Sequence, residues 1–269
     1  MGKYKLIAID LDGTLVRGDQ TISPHTRETL INVQEQGMKV VIASGRPTYG
    51  TAPLADLLQV GEHGGYLLSY NGGAIYDWAT HELLYSKMLD SEVLPYLYDC
   101  TKRNGFQIIT YVDKNIVAEV AENPYIQFTS MRNKMPVRTV PNFLEEVTYP
   151  LAKCMIVGDP EPLHRLELEM VPRLEGKAAA FRSEPFFLEI VPAGINKAKG
   201  LSILLEKIGL QPSELMAFGD GYNDISMLQL AGMGVAMGNA AQETKEAADF
   251  ITRSNEDDGI AYAIEQLIL

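Results

Sequence analysis

Apolar residues fall along this chain in two textures. Near the N-terminus Leu6, Ile7, Ala8 and Ile9 run without interruption into Asp10, the pattern of a strand covered on both faces, and predict a strand over residues 4–10. Two similar runs follow: KVVIA at 39–43, ending at Ser-Gly-Arg, and YLLS at 66–69, ending at Asn-Gly-Gly. Between the first two runs, Ser23-Pro24 opens a helix, with serine as cap and proline in the first turn, and Gly37 closes it. The C-terminal part repeats this alternation. It predicts a helix over Lys197–Ile208 closed by Gly209, a strand LMAF ending at GDGYND, and a helix over Ile225–Leu230. A strand GVAM ending at Gly-Asn and helices near 242–248 and over 257–268 complete it, the last with Ile260, Ile264 and Leu267 on one face. Strand, helix, strand in this rhythm predicts parallel crossovers in an α/β sheet.

Residues 84–189 have the second texture. Strand candidates at 107–111, 116–120, 136–140, 152–157, 178–181 and 186–191 mix with helices near 91–104 and 160–174. Several of these strands alternate or abut polar loops, which suits a sheet with one covered face. The expected organisation is a core built from residues 1–83 and 190–269, interrupted by an inserted α/β unit at 84–189.

Composition narrows the class. The chain has 269 residues, 46% apolar and 22% charged, as in an ordinary globular protein with room for one large or two ordinary domains. Nothing approaches the roughly 18 apolar residues a membrane-spanning helix needs. The first apolar segment is too short for a signal peptide, and Gly2 lacks Ser or Thr at the myristoylation position. The two cysteines, Cys100 and Cys154, are far apart and form no metal or redox pair motif, so a reducing, cytoplasmic setting is expected. A net charge of −12 from 35 acids and 23 bases argues against nucleic acid or an anionic membrane as partner. It leaves room for a small anionic substrate, which answers to a few local cations.

Four polar groups lie just past the carboxyl ends of predicted core strands: Asp10/Asp12, Ser44-Gly45-Arg46, Asn71-Gly72 and Asp220 to Asp224. In an open parallel sheet that edge is where ligands bind. Four carboxylates gathered there (Asp10, Asp12, Asp220, Asp224) would repel one another and need a cation. His25, His63, His81 and His164 are scattered away from the strand ends, so oxygen ligands and Mg²⁺ fit better than zinc. Ser44, with hydroxyl and backbone donors, and Lys197, opening a helix, suit a phosphoryl group. Asp10 is then the candidate nucleophile. Asp12, two residues along an extended strand, points the same way and can act first as acid and then as base. Locally, Asp12-Gly13 also reads as a hairpin turn, Arg46 as a structural ion pair and Asn71 as a turn residue; the latter two suit substrate contact equally. The aromatics of the insert, among them Tyr96, Tyr111, Tyr125 and Phe186, read as core.

DLDGT at 10–14, SGR at 44–46, NK at 196–197 and GDGYND at 219–224 resemble, in order and spacing, the four motifs of haloacid dehalogenase (HAD) superfamily phosphatases. SYNGGAIYD at 69–77 and AGMGVAMGNA at 231–240 resemble the Cof-type group, whose type IIB cap is inserted after the third core strand. The resemblance implies a Rossmann-like core with an α/β cap that sets substrate specificity. It implies Asp10 as nucleophile and Mg²⁺ ligand, and Asp12 as acid/base that also binds Mg²⁺ through its backbone carbonyl. Ser44, Gly45 and Lys197 would hold phosphate and Asn223 would contact it. Asp220 would bind the metal directly or through water, Asp224 would support the metal shell and Lys197, and Asn239 would face the phosphate. NKAKGL at 196–201 departs from the group in carrying Ala198 where glycine is usual, and Lys199 stands close by; Lys197 is the residue carried over.

The function expected is Mg²⁺-dependent hydrolysis of a small phosphorylated metabolite through an aspartyl-phosphate, with sugar phosphates suggested by the resemblance alone. A phosphomutase on the same scaffold and a regulator that binds metal and phosphate without turnover are the alternatives. Monomer and homodimer both remain open.

Overall fold

The computed structural model describes residues 3–269. The chain forms two compact units, one running to Tyr85 and resuming over Asn196–Leu269, the other Ser86–Ile195. In chain order the first comprises β1 (Leu6–Ile9), α1 (Pro24–Glu35), β2 (Lys39–Ala43), α2 (Thr48–Leu57), β3 (Tyr66–Ser69), β4 (Ala74–Asp77) and β5 (Leu83–Ser86). The inserted unit follows with α3 (Leu94–Arg103), β6 (Gln107–Val112), β7 (Asn115–Ala118), α4 (Pro124–Asn133) and β8 (Val137–Thr139). It continues through α5 (Phe143–Glu146), β9 (Cys154–Val157), α6 (Pro160–Leu174), β10 (Ala178–Glu184) and β11 (Phe187–Pro192). The first unit resumes with α7 (Lys197–Ile208), β12 (Leu215–Gly219), α8 (Ile225–Leu230), β13 (Met233–Ala236), α9 (Gln242–Glu246), β14 (Phe250–Ile251) and α10 (Gly259–Leu267).

The first unit is an eight-stranded sheet in the order β14-β13-β12-β1-β2-β3-β4-β5. Strands β14 through β3 are parallel, and β4 turns back antiparallel on β3. The uninterrupted apolar runs have a plain cause. Ile7 and Ile9 of β1 pack with Leu30 of α1 and Ile260 and Ile264 of α10 on one face. Leu6 and Ala8 pack with Leu201, Leu204 and Leu205 of α7 on the other. A strand that feeds two cores has no polar side to show.

Helix ends follow their caps. The Ser23 hydroxyl accepts from the Thr26 N–H at 3.0 Å at the start of α1, and the Asn196 side chain accepts from the Lys199 N–H at 2.8 Å at the start of α7. Gly209 ends α7 in the left-handed region, at φ +71°. Helix α7 also needs Gly200, because a Cβ there would meet the Gly72 Cα at 2.8 Å.

The inserted unit is a six-stranded mixed sheet, β10-β11-β9-β6-β7-β8. It begins at Ser86, two residues inside the expected start at 84, and runs on past 189 to Ile195. Strand β11 pairs with β9 and β10, so the residues after 189 stay with the insert until Ile195. One face packs on Leu97, Phe143, Leu163 and Leu166 from α3, α5 and α6. The other is not bare, as the alternation suggested: α4 lays Ile126 over Ile109, Ile116, Met155 and Phe187. Among the described residues, no helix is long and apolar enough to cross a membrane.

Candidate active site

Each strand of the parallel sheet delivers a polar group at its carboxyl end. The ladder between β1 and β12 continues one step past β1, where the Asp10 N–H donates to the Phe218 carbonyl at 3.0 Å. The chain then turns tightly. The Leu15 N–H returns to the Asp10 carbonyl at 3.2 Å and the Val16 N–H to the Leu11 carbonyl at 3.0 Å. Gly13 carries this turn at φ +82°, where a side chain would be strained and would also strike the Asp220 carboxylate. The Asp-Gly turn and the chemistry are thus one feature.

Lys197 is the centre of the charge arrangement. It is fully buried and donates from Nζ to Asp10 Oδ1 and, at 2.6 Å, to Asp224 Oδ1. The neighbouring Lys199 side chain is exposed, so position alone distinguishes the two lysines. Asp224 is fixed on its other oxygen by the Asp220 and Gly221 N–H groups at 3.1 and 3.0 Å. Asp220 accepts from the Thr14 hydroxyl at 2.7 Å. Among the described residues, Asp10, Asp220 and Asp224 form the group able to hold a metal ion, with oxygens within 4.8 Å of one another.

The electrostatics follow from this crowding. Burial, then repulsion by Asp224, raises the Asp10 carboxyl well above its ordinary range, against the pull of Lys197. Burial raises Asp220 to about 6, the Thr14 hydrogen bond opposing and Asp224 adding to the rise. Burial alone would lower Lys197, but Asp10 and Asp224 together hold it above its ordinary value. One cation among three carboxylates leaves negative charge that a second cation would relieve. The donor set is all oxygen and contains neither thiolate nor imidazole, so it fits a hard divalent ion such as Mg²⁺.

Asp12 has a different neighbour. Its carboxylate accepts from the Arg46 guanidinium, from Nε at 2.9 Å and also from Nη2. Arg46 also donates to Gln20. The Asp12–Arg46 pair matches the ion-pair reading of Arg46, whereas no motif announces Gln20. Ser44 is buried, its hydroxyl accepting from the Arg46 N–H at 3.1 Å. The turn after β3 is knitted to this loop, the Asn71 N–H donating to the Ser44 carbonyl at 2.9 Å and the Tyr70 N–H to that of Arg46 at 3.1 Å. The side chain of Asn71, a residue at φ +55°, lies against Gly45 and accepts from Asn223 Nδ2 at 3.2 Å. Asn239 donates to the Gly13 carbonyl at 2.8 Å and accepts from the Asn255 N–H at 3.0 Å. Sequence reasoning missed Thr14, Gln20 and Asn255. Thr14 lay within a quoted motif, whereas Gln20 and Asn255 carry no pattern of their own.

A family model described as haloacid dehalogenase-like hydrolase matches residues 7–264. The chain is 33% identical to 5-amino-6-(5-phospho-D-ribitylamino)uracil phosphatase YcsE of Bacillus subtilis, over 98% of this chain and 96% of that protein. A haloacid dehalogenase-like hydrolase from Bacteroides thetaiotaomicron superposes with a TM-score of 0.96 at 53% identity, covering 99% of this chain and 100% of that one. The HAD subclass IIB sugar phosphatase BT4131 superposes with a TM-score of 0.82 at 27% identity, covering 97% and 98%.

Proposed function

The chain belongs to the haloacid dehalogenase-like hydrolases, in the Cof-type group, and is an enzyme of the phosphatase class; from that premise we propose that it is a Mg²⁺-dependent hydrolase of a small phosphorylated metabolite, working through a phosphorylated Asp10. The observation that carries this reading is the buried Lys197 joining Asp10 to Asp224 beside Asp220.

In the first step an Asp10 oxygen bonds to phosphorus while the bond from phosphorus to the leaving oxygen breaks, and the Asp12 carboxyl gives that oxygen its proton. In the second, water bonds to phosphorus, the bond to Asp10 breaks, and Asp12 takes a proton from the water, which restores both residues. Arg46 donates to the Asp12 carboxylate and orients it. Lys197, the Ser44 hydroxyl, the Gly45 N–H and Asn223 are the donors for the phosphoryl oxygens. Asp10, Asp220 and Asp224 would hold Mg²⁺, with the Asp12 carbonyl, and the ion would supply positive charge against the phosphoryl group. Selection of the substrate's organic part falls to the inserted unit. A sugar or sugar-alcohol phosphate is the substrate class favoured, because relatives are named for a phospho-ribityl compound and for sugar phosphates.

The test is phosphate release from p-nitrophenyl phosphate and from a panel of phosphorylated metabolites. Asp10→Asn should abolish it. Asp12→Ala should give a burst of nitrophenol near one per site, then turnover slower by roughly 10²–10⁴-fold, because an aryl leaving group needs no proton but hydrolysis needs the base. A burst from Asp10→Asn, or parent-rate turnover by Asp12→Ala, would overturn the assignment. Transfer to another hydroxyl of the substrate without phosphate release would mark a mutase.

A further inference from the structure

The loop of residues 254–258 makes several side-chain contacts to the chain just after Asp12. Asn255 Nδ2 donates to the Val16 carbonyl at 2.8 Å. The Asn255 N–H donates to Asn239, and Asn239 Nδ2 donates in turn to the Gly13 carbonyl at 2.8 Å. The Gly18 N–H donates to Glu256 Oε1 at 2.8 Å. Asp258, at φ +56°, accepts from the Ser23 hydroxyl, from the Thr26 hydroxyl at 3.1 Å, and pairs with Arg17 at 3.7 Å. Residues 13 to 26 are therefore gripped along their length by residues more than 200 positions later.

What is gripped matters. The peptide group that Asn239 holds joins Gly13 to Thr14, and Thr14 donates to Asp220. The next stretch is a small hairpin, with the Arg17 N–H to the Thr21 carbonyl at 2.9 Å and the Gln20 N–H to the Arg17 carbonyl at 2.9 Å. Its Gln20 accepts from Arg46, the residue that holds the Asp12 carboxylate. Contacts to Gly13 and Val16 thus reach Asp12 through the main chain. Contacts to Arg17 and Gly18 reach it through Gln20 and Arg46.

We propose that the 254–258 loop is a clamp that sets the position of Asp12, and that Asn239 and Asn255 are positioning residues for the reaction, acting through the Gly13 and Val16 carbonyls. The proposal rests on the acid/base reading of Asp12 given above. It assigns Asn239 to the Asp12 turn rather than to phosphate. Gly13 is at φ +82°, in a conformation glycine shares with many alternatives, so the turn needs outside contacts to keep one geometry. A displacement of about 1 Å at a reacting group is enough to cost roughly 10²-fold in rate.

Asn239→Asp and Asn255→Ala test it. The first keeps the shape and the acceptor for the Asn255 N–H but turns a carboxylate oxygen against the Gly13 carbonyl. The second removes the donor to Val16, and the isosteric first variant covers the case in which the second folds poorly. With p-nitrophenyl phosphate kcat should fall about 10-fold with KM nearly unchanged. With an alkyl phosphate it should fall about 10-fold further, because there Asp12 must also protonate the leaving oxygen. Hydrogen exchange of peptides covering 11–18 should quicken in both variants while other protected segments stay as they were. An equal fall for both esters would mean general damage and overturn the role toward Asp12. Unchanged kcat, or unchanged exchange over 11–18, would overturn the clamp. If the parent protein releases no phosphate from either ester, the functional reading fails, and the exchange measurement still decides whether the clamp exists.

Discussion

Each of the two units buries a lysine, and the two lysines live in opposite charge economies. Lys153 of the inserted unit is 3% exposed, meets Glu189 at 3.0 Å and lies 5.5 Å from the Tyr111 ring centroid. Glu189 alternates with Leu188 and Ile190 along β11 and so stands on the opposite face of the sheet. Lys197 is 0% exposed and meets two carboxylates with a third beside them. A buried ion pair like that of Lys153 can often be replaced by well-packed apolar side chains. The surplus around Lys197 is different in kind. Burial first, and then this surplus of negative charge, lift Asp10 and Asp220 out of the ordinary carboxylate range, the kind of perturbation that clusters at functional sites.

The largest effect expected from this contrast comes from replacing each lysine. Lys197→Met should remove phosphatase turnover, and no added Mg²⁺ should restore it. Lys153→Met should leave turnover of p-nitrophenyl phosphate in place but lower stability by about 3–5 kcal/mol, because Glu189 is left buried without its cation. Lys153→Met combined with Glu189→Leu should recover most of that loss. Denaturant midpoints and steady-state rates measure both. A double variant as unstable as the single one, or an active Lys197→Met, would break the comparison.

A smaller effect should come from the metal. Mg²⁺ at 100 times its dissociation constant should stabilise the parent by about 2.7 kcal/mol, seen as a higher thermal midpoint, and EDTA should abolish turnover. Asp220→Asn should lose most of that midpoint shift, whereas Glu189→Gln should keep it. A shift that survives Asp220→Asn would move the ion away from the acidic triad.

The smallest effect sharpens the comparison from the side of the insert. Both cysteines, Cys100 and Cys154, lie in that unit and are buried. Burial pushes the Cys154 thiol up to about 12, so at pH 8 roughly one molecule in 10⁴ carries the thiolate. Ellman's reagent should therefore find almost no thiol in the native protein and both in denaturant. If labelling begins at denaturant concentrations that leave p-nitrophenyl phosphate turnover intact, the insert opens separately from the catalytic unit.

Local patterns carried far in some places and failed in others. Helix α1 was legible because Ser23, Pro24 and Gly37 each act within a turn of where they stand. Helix α2 was not, since Gly50, Thr51 and Pro53 discourage a helix that packing nevertheless forms. Helix α4 starts at a good cap, Asn123 before Pro124, but Tyr125, Phe128 and Thr129 weaken its helical pattern and few of its residues are buried. Strands β4 and β5 are four residues each, and β5, at the sheet edge, is exposed or half-exposed throughout, so neither carries a run long enough to announce it.

The sequence by itself determined the candidate reagents and the edge on which they stand: Asp10, Asp12, Ser44, Asp220 and Asp224 follow apolar runs whose length and composition mark strand ends. That much is local chemistry. Which of them touch was decided only by the tertiary structure. Lys197 reaches Asp10, 187 positions away, because α7 is brought close to the Gly72 turn through Gly200. Asp12 meets Arg46 because β1 and β2 pair in parallel, Ile9 beside Ile42. Asn239 meets Gly13 rather than standing open because the chain that follows β13 lies against the Asp12 turn. Such contacts depend on strand register and on how helices seat against the sheet, sums over many distant side chains that no short stretch of sequence contains.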